Sequence, residues 1–281
     1  MVSTRGRLIA LEGVDGSGKS TQSRLLAERL GALLTREPGG TAHGRAIRSI
    51  VLEGEALLDP RAEALLMLAD RAQHCAEVIE PALSAGRWVV SDRFAASTLA
   101  YQGYGRGLET AELERISAWA ARSLVPDVYV LVEVPLGLGE SRRCGKDGSS
   151  SGSTSQSARS SPSAPPAPGS LSAPPAPGSL SAPPAPGSLS APPAPGSLSA
   201  PPAPGSLSAP PAPTSPSAPD RIESEPADFH QRVARGFAEL ARADPSRWAV
   251  VDGDAQVEVV AERVYAAVAE KLGLPDMVQG R

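Results

Sequence analysis

Several features that the sequence lacks narrow the range of functions open to it. The chain of 281 residues has only two cysteines, Cys75 and Cys144, so it carries neither a disulfide framework nor a four-thiolate metal site. Its three histidines, His43, His74 and His230, show no metal-binding spacing, and we assign them no ligand role. No apolar run approaches the roughly 20 residues that span a membrane, and residues 1–7 show no signal-peptide pattern. We therefore expect a cytoplasmic protein with no membrane partner.

Neither sign of charge is in large excess. The 27 Lys and Arg residues nearly balance the 31 Asp and Glu residues, which gives a formal net charge of -4. This mildly acidic balance argues against a general surface for polyanions, so we expect no nucleic-acid partner. It does not exclude a small phosphorylated ligand that a few local arginines bind.

Proline is abundant, with 29 residues, but most of it lies in one window at residues 148–218. This window has no aromatic residue and a single charged one, Arg159, and it repeats the unit SAPPAPGSL in register. Such a segment cannot bury enough apolar surface to offset the entropy of ordering it. We expect a disordered insertion here, within a single domain formed by residues 1–147 and 219–281. The repeats fit either a tolerated loop expansion or a ligand for a proline-recognition domain.

The remaining sequence alternates short apolar segments with amphipathic ones. The pattern predicts five strands, at residues 8–11, 32–35, 88–91, 128–134 and 248–251. It predicts helices at residues 19–30, 42–52, 60–83, 110–124, 226–243 and 255–272. Because strands that alternate with helices are typical of parallel sheets, we expect an α/β fold with a five-stranded parallel sheet flanked by helices.

A glycine-rich turn joins the first predicted strand to the first predicted helix. Residues 13–20 read GVDGSGKS and match the phosphate-binding pattern GxxxxGK[ST] in the context that this motif requires. Glycines allow successive backbone N–H groups to surround phosphate oxygens, and the helix N-terminus adds its positive dipole end. Lys19 should reach the β- and γ-phosphates, and the Ser20 hydroxyl should ligate Mg²⁺. We predict an ATP site formed by Gly13, Val14, Asp15, Gly16, Ser17, Gly18, Lys19, Ser20 and Thr21.

Two further features restrict the class of nucleotide-binding protein. The chain contains no asparagine, so it has no NKxD motif of the kind with which GTPases read guanine. The strand predicted at residues 88–91 is followed by Asp92 and Arg93. The acid can orient the hydration shell of Mg²⁺ while the arginine binds a second phosphate. This pair favours phosphoryl transfer to an acceptor that itself carries a phosphate, with Ser20 and Asp92 as the metal-binding residues.

Beyond these motifs, four segments together resemble the thymidylate kinase family. They are EGVDGSGKST at residues 12–21, TREPGGT at 35–41, Asp92-Arg93 with STLAYQGYGRG at 97–107, and DRIE at 220–223. The resemblance implies the P-loop nucleoside monophosphate kinase fold and phosphorylation of dTMP to dTDP with ATP and Mg²⁺, a step of dTTP synthesis. It also implies a homodimer formed through neighbouring helices. The apolar stripe of the helix at residues 60–83, formed by Ala64, Leu65, Leu68 and Val78, fits either such an interface or the core.

The resemblance assigns roles to charged residues of the acceptor site. Arg93 would bind the acceptor phosphate, at a strand end beside the phosphate-binding loop. Arg71 and Arg48 match family arginines that contact the acceptor. Asp15 matches the carboxylate near the acceptor's 3′-hydroxyl, and Glu37 borders the same pocket.

Recognition of the base and sugar falls to the segment after Arg93. Ser97, Thr98 and Gln102 match positions that approach thymine, where hydroxyl and amide groups can satisfy the polar edge of the base. Tyr101 matches the residue that lies under the deoxyribose and leaves no room for a 2′-hydroxyl. Met67 stands where the family usually has an aromatic residue that stacks on thymine; methionine can lie against a ring, with weaker stacking.

The predicted insertion falls inside the lid that closes over ATP in this family. Because Gly16 stands where some members have an arginine in the phosphate-binding loop, the resemblance implies that the lid supplies the catalytic positive charge. The candidates are Arg142, Arg143, Lys146 and Arg221, and residues 148–218 lie between them.

Two other functions fit the same motifs. One is a P-loop kinase that acts on another small acceptor, and the other is a catalytically weak nucleotide-binding scaffold whose repeat loop recruits a partner. A substrate panel would distinguish the first alternative, and turnover with and without the repeats would distinguish the second.

Overall fold

The computed structural model describes residues 5–54, 57–135, 137 and 220–274. The insertion predicted at residues 148–218 and the lid residues Arg142, Arg143 and Lys146 lie outside these ranges. Within the described part of the chain, no helix has the length and apolar character needed to cross a membrane.

Five parallel strands form a single sheet at the centre of the fold. They are β1 (Leu8–Glu12), β2 (Leu33–Arg36), β3 (Val89–Asp92), β4 (Val128–Glu133) and β5 (Trp248–Asp252). Their order in the sheet is β2-β3-β1-β4-β5. Every residue of the central strand β1 is buried, as expected of a parallel strand that is covered on both faces. The predicted five-stranded parallel sheet is confirmed.

Helices cover both faces of this sheet. They are α1 (Lys19–Leu30), α2 (Ala42–Arg48), α3 (Pro60–His74), α4 (Glu80–Ser84), α5 (Ala95–Thr98), α6 (Thr110–Ala120), α7 (Ala227–Ala243) and α8 (Val257–Leu272). Three π-helical segments continue from them, at Ser49–Glu53 after α2, Cys75–Ile79 between α3 and α4, and Leu99–Gly105 after α5.

The predicted helices differ from the observed ones mainly at their ends. The segment predicted as one helix at residues 60–83 is helical throughout, but a π-helical segment divides it into α3 and α4. The helix predicted at residues 110–124 ends at Ala120, because Arg122 and Ser123 adopt left-handed backbone conformations with φ of 54° and 60°. A local apolar pattern does not reveal where the backbone leaves the helical region.

The core consists of two apolar layers, one on each face of the sheet. Because successive side chains of a strand point to opposite faces, Leu8 and Ala10 contribute to one layer and Ile9 and Leu11 to the other. The first layer contains Phe94, Tyr101, Phe229 and Phe237, and the second contains residues of α1 and α8.

Strand register brings the chemically important loops together. Leu11 of β1 and Arg36 of β2 both pair with Asp92 of β3. The carboxyl ends of these three neighbouring strands therefore meet at one edge of the sheet, where ligands bind in open α/β folds.

Candidate active site

The phosphate-binding loop has the backbone that its glycines make possible. Gly13, Gly16 and Gly18 have φ of 148°, 79° and 87°, conformations that residues with a Cβ atom rarely adopt. Gly18 is the N-cap of α1, so Lys19 begins the helix with its backbone N–H directed toward the loop. Lys19 is buried, and its Nζ donates to the Val14 carbonyl at 3.2 Å and to Asp15 Oδ1 at 3.3 Å.

A cavity opens beside this loop, and it is lined by residues of α1, β2, α2, α3, β3 and α5. All nine residues predicted to bind the acceptor line it: Glu37, Arg48, Met67, Arg71, Arg93, Ser97, Thr98, Tyr101 and Gln102. Four residues of the phosphate-binding loop also line it: Asp15, Gly16, Lys19 and Ser20. Predicted ATP-binding and acceptor-binding residues therefore share one cavity.

Arg93 lines this cavity beside the phosphate-binding loop. Its Nη1 donates to the Gly13 carbonyl at 3.1 Å and to Ser97 Oγ at 3.0 Å, while Nη2 donates to Tyr101 Oη at 2.9 Å and to Asp15 Oδ1. Desolvation by itself would lower the pKa of Arg93, but the neighbouring oxygens of Tyr101 and Asp15 raise it. The guanidinium is therefore a permanent positive charge at the end of β3.

The backbone of Arg93 is also unusual. Its φ of 75° lies in the left-handed region, which costs a non-glycine residue about 1–2 kcal/mol. Two hydrogen bonds hold this conformation: the Arg93 N–H donates to the Leu11 carbonyl at 2.9 Å, and Ser91 Oγ donates to the Arg93 carbonyl at 2.7 Å. Adjacent strands thus direct the side chain toward the phosphate-binding loop.

Asp15 connects the predicted ATP-binding residues to the predicted acceptor-binding residues. Its carboxylate accepts hydrogen bonds from Lys19, from Arg93, and from Tyr101 Oη at 2.7 Å. Desolvation would raise the pKa of Asp15, but the positive charges of Arg93 and Lys19 lower it well below its usual value. Burial and the nearby Arg93 charge lower the pKa of Lys19.

The residues predicted to read the base and sugar lie on α5 and the π-helical segment after it. Ser97 and Tyr101 are four residues apart, as are Thr98 and Gln102, and all four line the cavity. Tyr101 packs against the rings of Phe229 and Phe237, at centroid distances of 6.2 Å and 6.1 Å. Tyr101 Oη nevertheless reaches Asp15, so its ring forms a fixed wall of the cavity.

Arg71 is held by a buried network on the α3 side. Its Nε donates to Glu37 Oε2 at 2.9 Å, Nη1 donates to Thr98 Oγ1 at 2.9 Å and to Ser117 Oγ at 3.0 Å, and Nη2 donates to the Phe94 carbonyl at 3.0 Å. The Arg71 side chain is only 2% exposed. Each nitrogen has a protein partner, so Arg71 organises the wall of the cavity as well as lining it.

Sequence reasoning missed His74, to which it gave no role. The ring is fully buried, with Nδ1 2.9 Å from Glu37 Oε1 and Nε2 2.6 Å from Thr35 Oγ1. His74 thus orients the carboxylate that also binds Arg71. Its position three residues after Arg71 on α3 was the available sequence signal.

Sequence reasoning also missed Glu12, the last residue of β1. This fully buried carboxylate accepts from the Phe94 N–H at 2.9 Å and from Ser97 Oγ at 2.6 Å. Burial raises the pKa of Glu12 to about 7, although bonds from Ser97 and the Arg93 charge oppose the rise. Glu12 connects the strand before the phosphate-binding loop to the first turn of α5.

The remaining predicted acceptor residues line the cavity with fewer partners. Arg48 Nη1 donates to the Pro38 carbonyl at 3.3 Å, and partial burial lowers the pKa of Arg48. Met67 is partly buried against the first core layer. Arg36, which sequence reasoning did not select, lines the same cavity.

Arg221 is the one predicted lid residue in the described part of the chain, and it does not line this cavity. Its Nε donates to the Val51 carbonyl at 2.9 Å and its Nη2 to Glu63 Oε2 at 2.6 Å, with the side chain 12% exposed. Its neighbours Asp220 and Glu223 do line the cavity. In this conformation Arg221 joins the DRIE segment to α3.

The predicted metal-binding residues lie in the same cavity. Ser20 and Asp92 both line it, and Asp92 Oδ1 is buried with no hydrogen-bond partner in the described part of the chain. Among those residues, no cluster of three or more His, Cys, Asp or Glu side chains could hold a metal by itself. A site with few protein ligands fits Mg²⁺, which usually keeps waters and shares phosphate oxygens with a nucleotide.

Comparison with known proteins assigns the family. The model of the family described as thymidylate kinase matches residues 11–158. The thymidylate kinase of Solidesulfovibrio magneticus is 37% identical over 270 residues, which cover 94% of this chain and 99% of the relative. That of Carboxydothermus hydrogenoformans is 35% identical over 261 residues, covering 91% and 93% respectively.

A solved structure supports the fold. The crystal structure of thymidylate kinase from Ehrlichia chaffeensis superposes with a TM-score of 0.59 at 23% identity, covering 94% of this chain and 99% of that one. At this identity the likeness concerns the fold alone, and it agrees with the parallel sheet described above. From the family model and the full-length relatives, this chain belongs to the thymidylate kinase family.

Proposed function

We propose that the chain transfers the γ-phosphoryl group of ATP to dTMP, which yields dTDP for dTTP synthesis. Membership of the thymidylate kinase family supports this activity. The observation that carries it is the Lys19–Asp15–Arg93–Tyr101 cluster, in which the residue that contacts ATP phosphates is bonded to residues of the acceptor site.

The phosphate-binding loop would hold ATP through its backbone N–H groups and Lys19. Mg²⁺, when bound through Ser20 and Asp92, would neutralise phosphate charge. Arg93 would bind the acceptor phosphate, and its contacts with Gly13 and Asp15 keep the guanidinium beside the donor site. Phosphoryl transfer depends mainly on such positioning and charge stabilisation.

Residues that line the cavity outside the phosphate-binding loop would select the acceptor. Ser97, Thr98 and Gln102 would face the base, with Met67 against its ring, and Arg71 would contact the acceptor. Tyr101, fixed between Asp15 and two phenylalanine rings, would lie under the sugar and exclude a 2′-hydroxyl. The chain should therefore prefer a deoxyribonucleotide.

A coupled assay of ADP release tests the proposal with dTMP, its ribose analogue, dCMP and dGMP as acceptors. We expect dTMP to give the highest kcat/KM. Arg93→Ala should reduce turnover with dTMP while ATP binding stays nearly unchanged, and Arg24→Ala on the exposed face of α1 is the matched control. Higher kcat/KM with another acceptor would indicate a different kinase, and negligible kcat with all of them would indicate a nucleotide-binding scaffold.

We also propose that residues 1–147 and 219–281 form the kinase domain, and that 148–218 is a disordered insertion in its lid. Arg142, Arg143, Lys146 and Arg221 would supply lid charge during transfer. Deleting residues 149–216 should retain activity, because shortening the loop changes its closure free energy by only about 1.5 kcal/mol. A more than tenfold loss of kcat in the folded deletion variant would mean that the repeats shape the active site.

We also propose that the chain forms a homodimer and that it is located in the cytoplasm. Leu65 on α3 and Trp119 on α6 are 62% and 81% exposed, and the two helices pack against each other. A contiguous apolar patch formed by such side chains would be an interaction surface. Trp119→Glu should convert a dimer to a monomer in sedimentation experiments; a wild-type monomer would contradict the dimer.

A further inference from the structure

A buried carboxylate on α3 lies behind the cavity and does not line it. Glu63 is fully buried and accepts hydrogen bonds from three side chains. Gln102 Nε2 donates to Oε1 at 2.9 Å; Arg106 donates through Nε to Oε1 at 3.2 Å and through Nη2 to Oε2 at 3.0 Å. Arg221 Nη2 donates to Oε2 at 2.6 Å. Desolvation would raise the pKa of Glu63, but the bonds from Arg106 and Gln102 lower it, so the group is ionised.

An ionised carboxylate restricts the orientation of Gln102. A glutamine amide has a donating NH₂ end and an accepting carbonyl end, whereas an ionised carboxylate only accepts. Turning the Gln102 amide around would place its carbonyl oxygen against Glu63 Oε1 and lose a hydrogen bond to a charged group. The NH₂ end of Gln102 therefore faces Glu63. Because Gln102 lines the cavity, its carbonyl oxygen is the end of the amide that can accept a hydrogen bond from a ligand there.

We propose that Glu63 is a positioning residue for base selection, because it fixes Gln102 as a hydrogen-bond acceptor toward the ligand. A carbonyl oxygen in the cavity favours a pyrimidine with an N–H at position 3, as in thymine. Cytosine presents an unprotonated ring nitrogen at that position, and two acceptors would then face each other. The inference rests on the proposed function, since it requires Gln102 to meet the base of the acceptor.

The network around Glu63 offers a matched control. Arg106 Nη1 also donates to Glu225 Oε1 at 2.5 Å, so Glu225 belongs to the same ionic network without contacting Gln102 in this structure. Glu63→Gln keeps the shape of the side chain but can present either end of an amide to Gln102. Glu225→Gln makes the same chemical change while the bond between Glu63 and Gln102 remains.

The test measures kcat/KM for dTMP and for dCMP with ATP in the full chain. Glu63→Gln should lower the ratio of dTMP to dCMP by tenfold or more, and Glu225→Gln should change it less than twofold. In a Gln102→Leu background, adding Glu63→Gln should change the ratio less than twofold, because the amide is absent. An unchanged ratio in folded Glu63→Gln, or an equal drop with Glu225→Gln, would overturn the inference.

A second measurement does not depend on the Glu63 variant folding. The NH₂ signal of Gln102 in ¹⁵N spectra, assigned by its absence in Gln102→Leu, should stay protected from solvent exchange in the free and dTMP-bound protein. Loss of protection when dTMP binds would show that the NH₂ end has turned to the base and would overturn the inference. If the wild-type chain did not phosphorylate dTMP, that result would contradict the proposed function rather than the orientation of Gln102 by Glu63.

Discussion

Replacing Asp70 by asparagine should make the stability of the fold respond differently to pH. Asp70 lies fully buried on α3, where Oδ1 accepts from the Gly39 N–H at 3.0 Å. Its Oδ2 has no hydrogen-bond partner in the described part of the chain. Burial, together with the nearby negative charge of Glu37, raises the pKa of Asp70 from 3.8 to about 6.

The size of the expected change in unfolding free energy follows from this rise in the pKa of Asp70. The folded state binds the Asp70 proton more tightly than the unfolded state, so ionisation penalises folding as pH increases. The penalty begins near the unfolded pKa of 3.8, grows through the folded pKa of about 6 and then stays constant at roughly 3 kcal/mol. Asparagine keeps an oxygen for the Gly39 N–H and does not ionise. Between about pH 4.5 and about pH 7.5, Asp70→Asn should therefore gain about 2 kcal/mol relative to the wild type.

Urea unfolding of both proteins at the two pH values measures this difference. The unpaired NH₂ of asparagine carries a cost of its own, roughly 1–3 kcal/mol, but that cost is the same at both pH values and cancels. Asp254→Asn, at an exposed position after β5, is the control and should show no such gain. If the relative stability of Asp70→Asn changed by less than about 0.5 kcal/mol between the two pH values, the raised pKa would be refuted.

Three further predictions test other parts of the structure. Lys19→Ala should reduce kcat at least about 100-fold and leave the melting temperature nearly unchanged; a kcat within about threefold of wild type would exclude Lys19 from catalysis. Arg71→Lys should lower the unfolding free energy by roughly 3 kcal/mol, because a lysine cannot replace the guanidinium that binds Glu37 and Thr98; unchanged urea unfolding would contradict the buried network. Gly105→Ala should cost about 1–3 kcal/mol, since a Cβ atom would lie 2.6 Å from the Phe229 ring; an unchanged melting temperature would show that α7 can move away.

The sequence by itself determined those parts of the structure that depend only on residues close together along the chain. The glycines at positions 13, 16 and 18 adopt backbone angles that suit glycine, so the phosphate-binding loop can be recognised from its spacing. Apolar runs such as residues 8–11 specify buried strands, and their alternation with helices specifies a parallel sheet. The family resemblance, drawn from four local motifs, is confirmed by the full-length relatives. It selected nine residues that do line one cavity.

Only the tertiary structure decided how those residues are held. Glu12, Glu63 and His74 bind partners between 37 and 158 positions away, and no local pattern encodes such contacts. Glu63 sits in an ordinary amphipathic helix, and its sequence context does not distinguish it from a solvent-exposed glutamate. The charge of a buried carboxylate depends on desolvation and on the cations that packing brings near, so Glu63 is ionised while burial raises the pKa of Glu12 to about 7. These quantities arise from strand register and helix packing, which are properties of the whole fold.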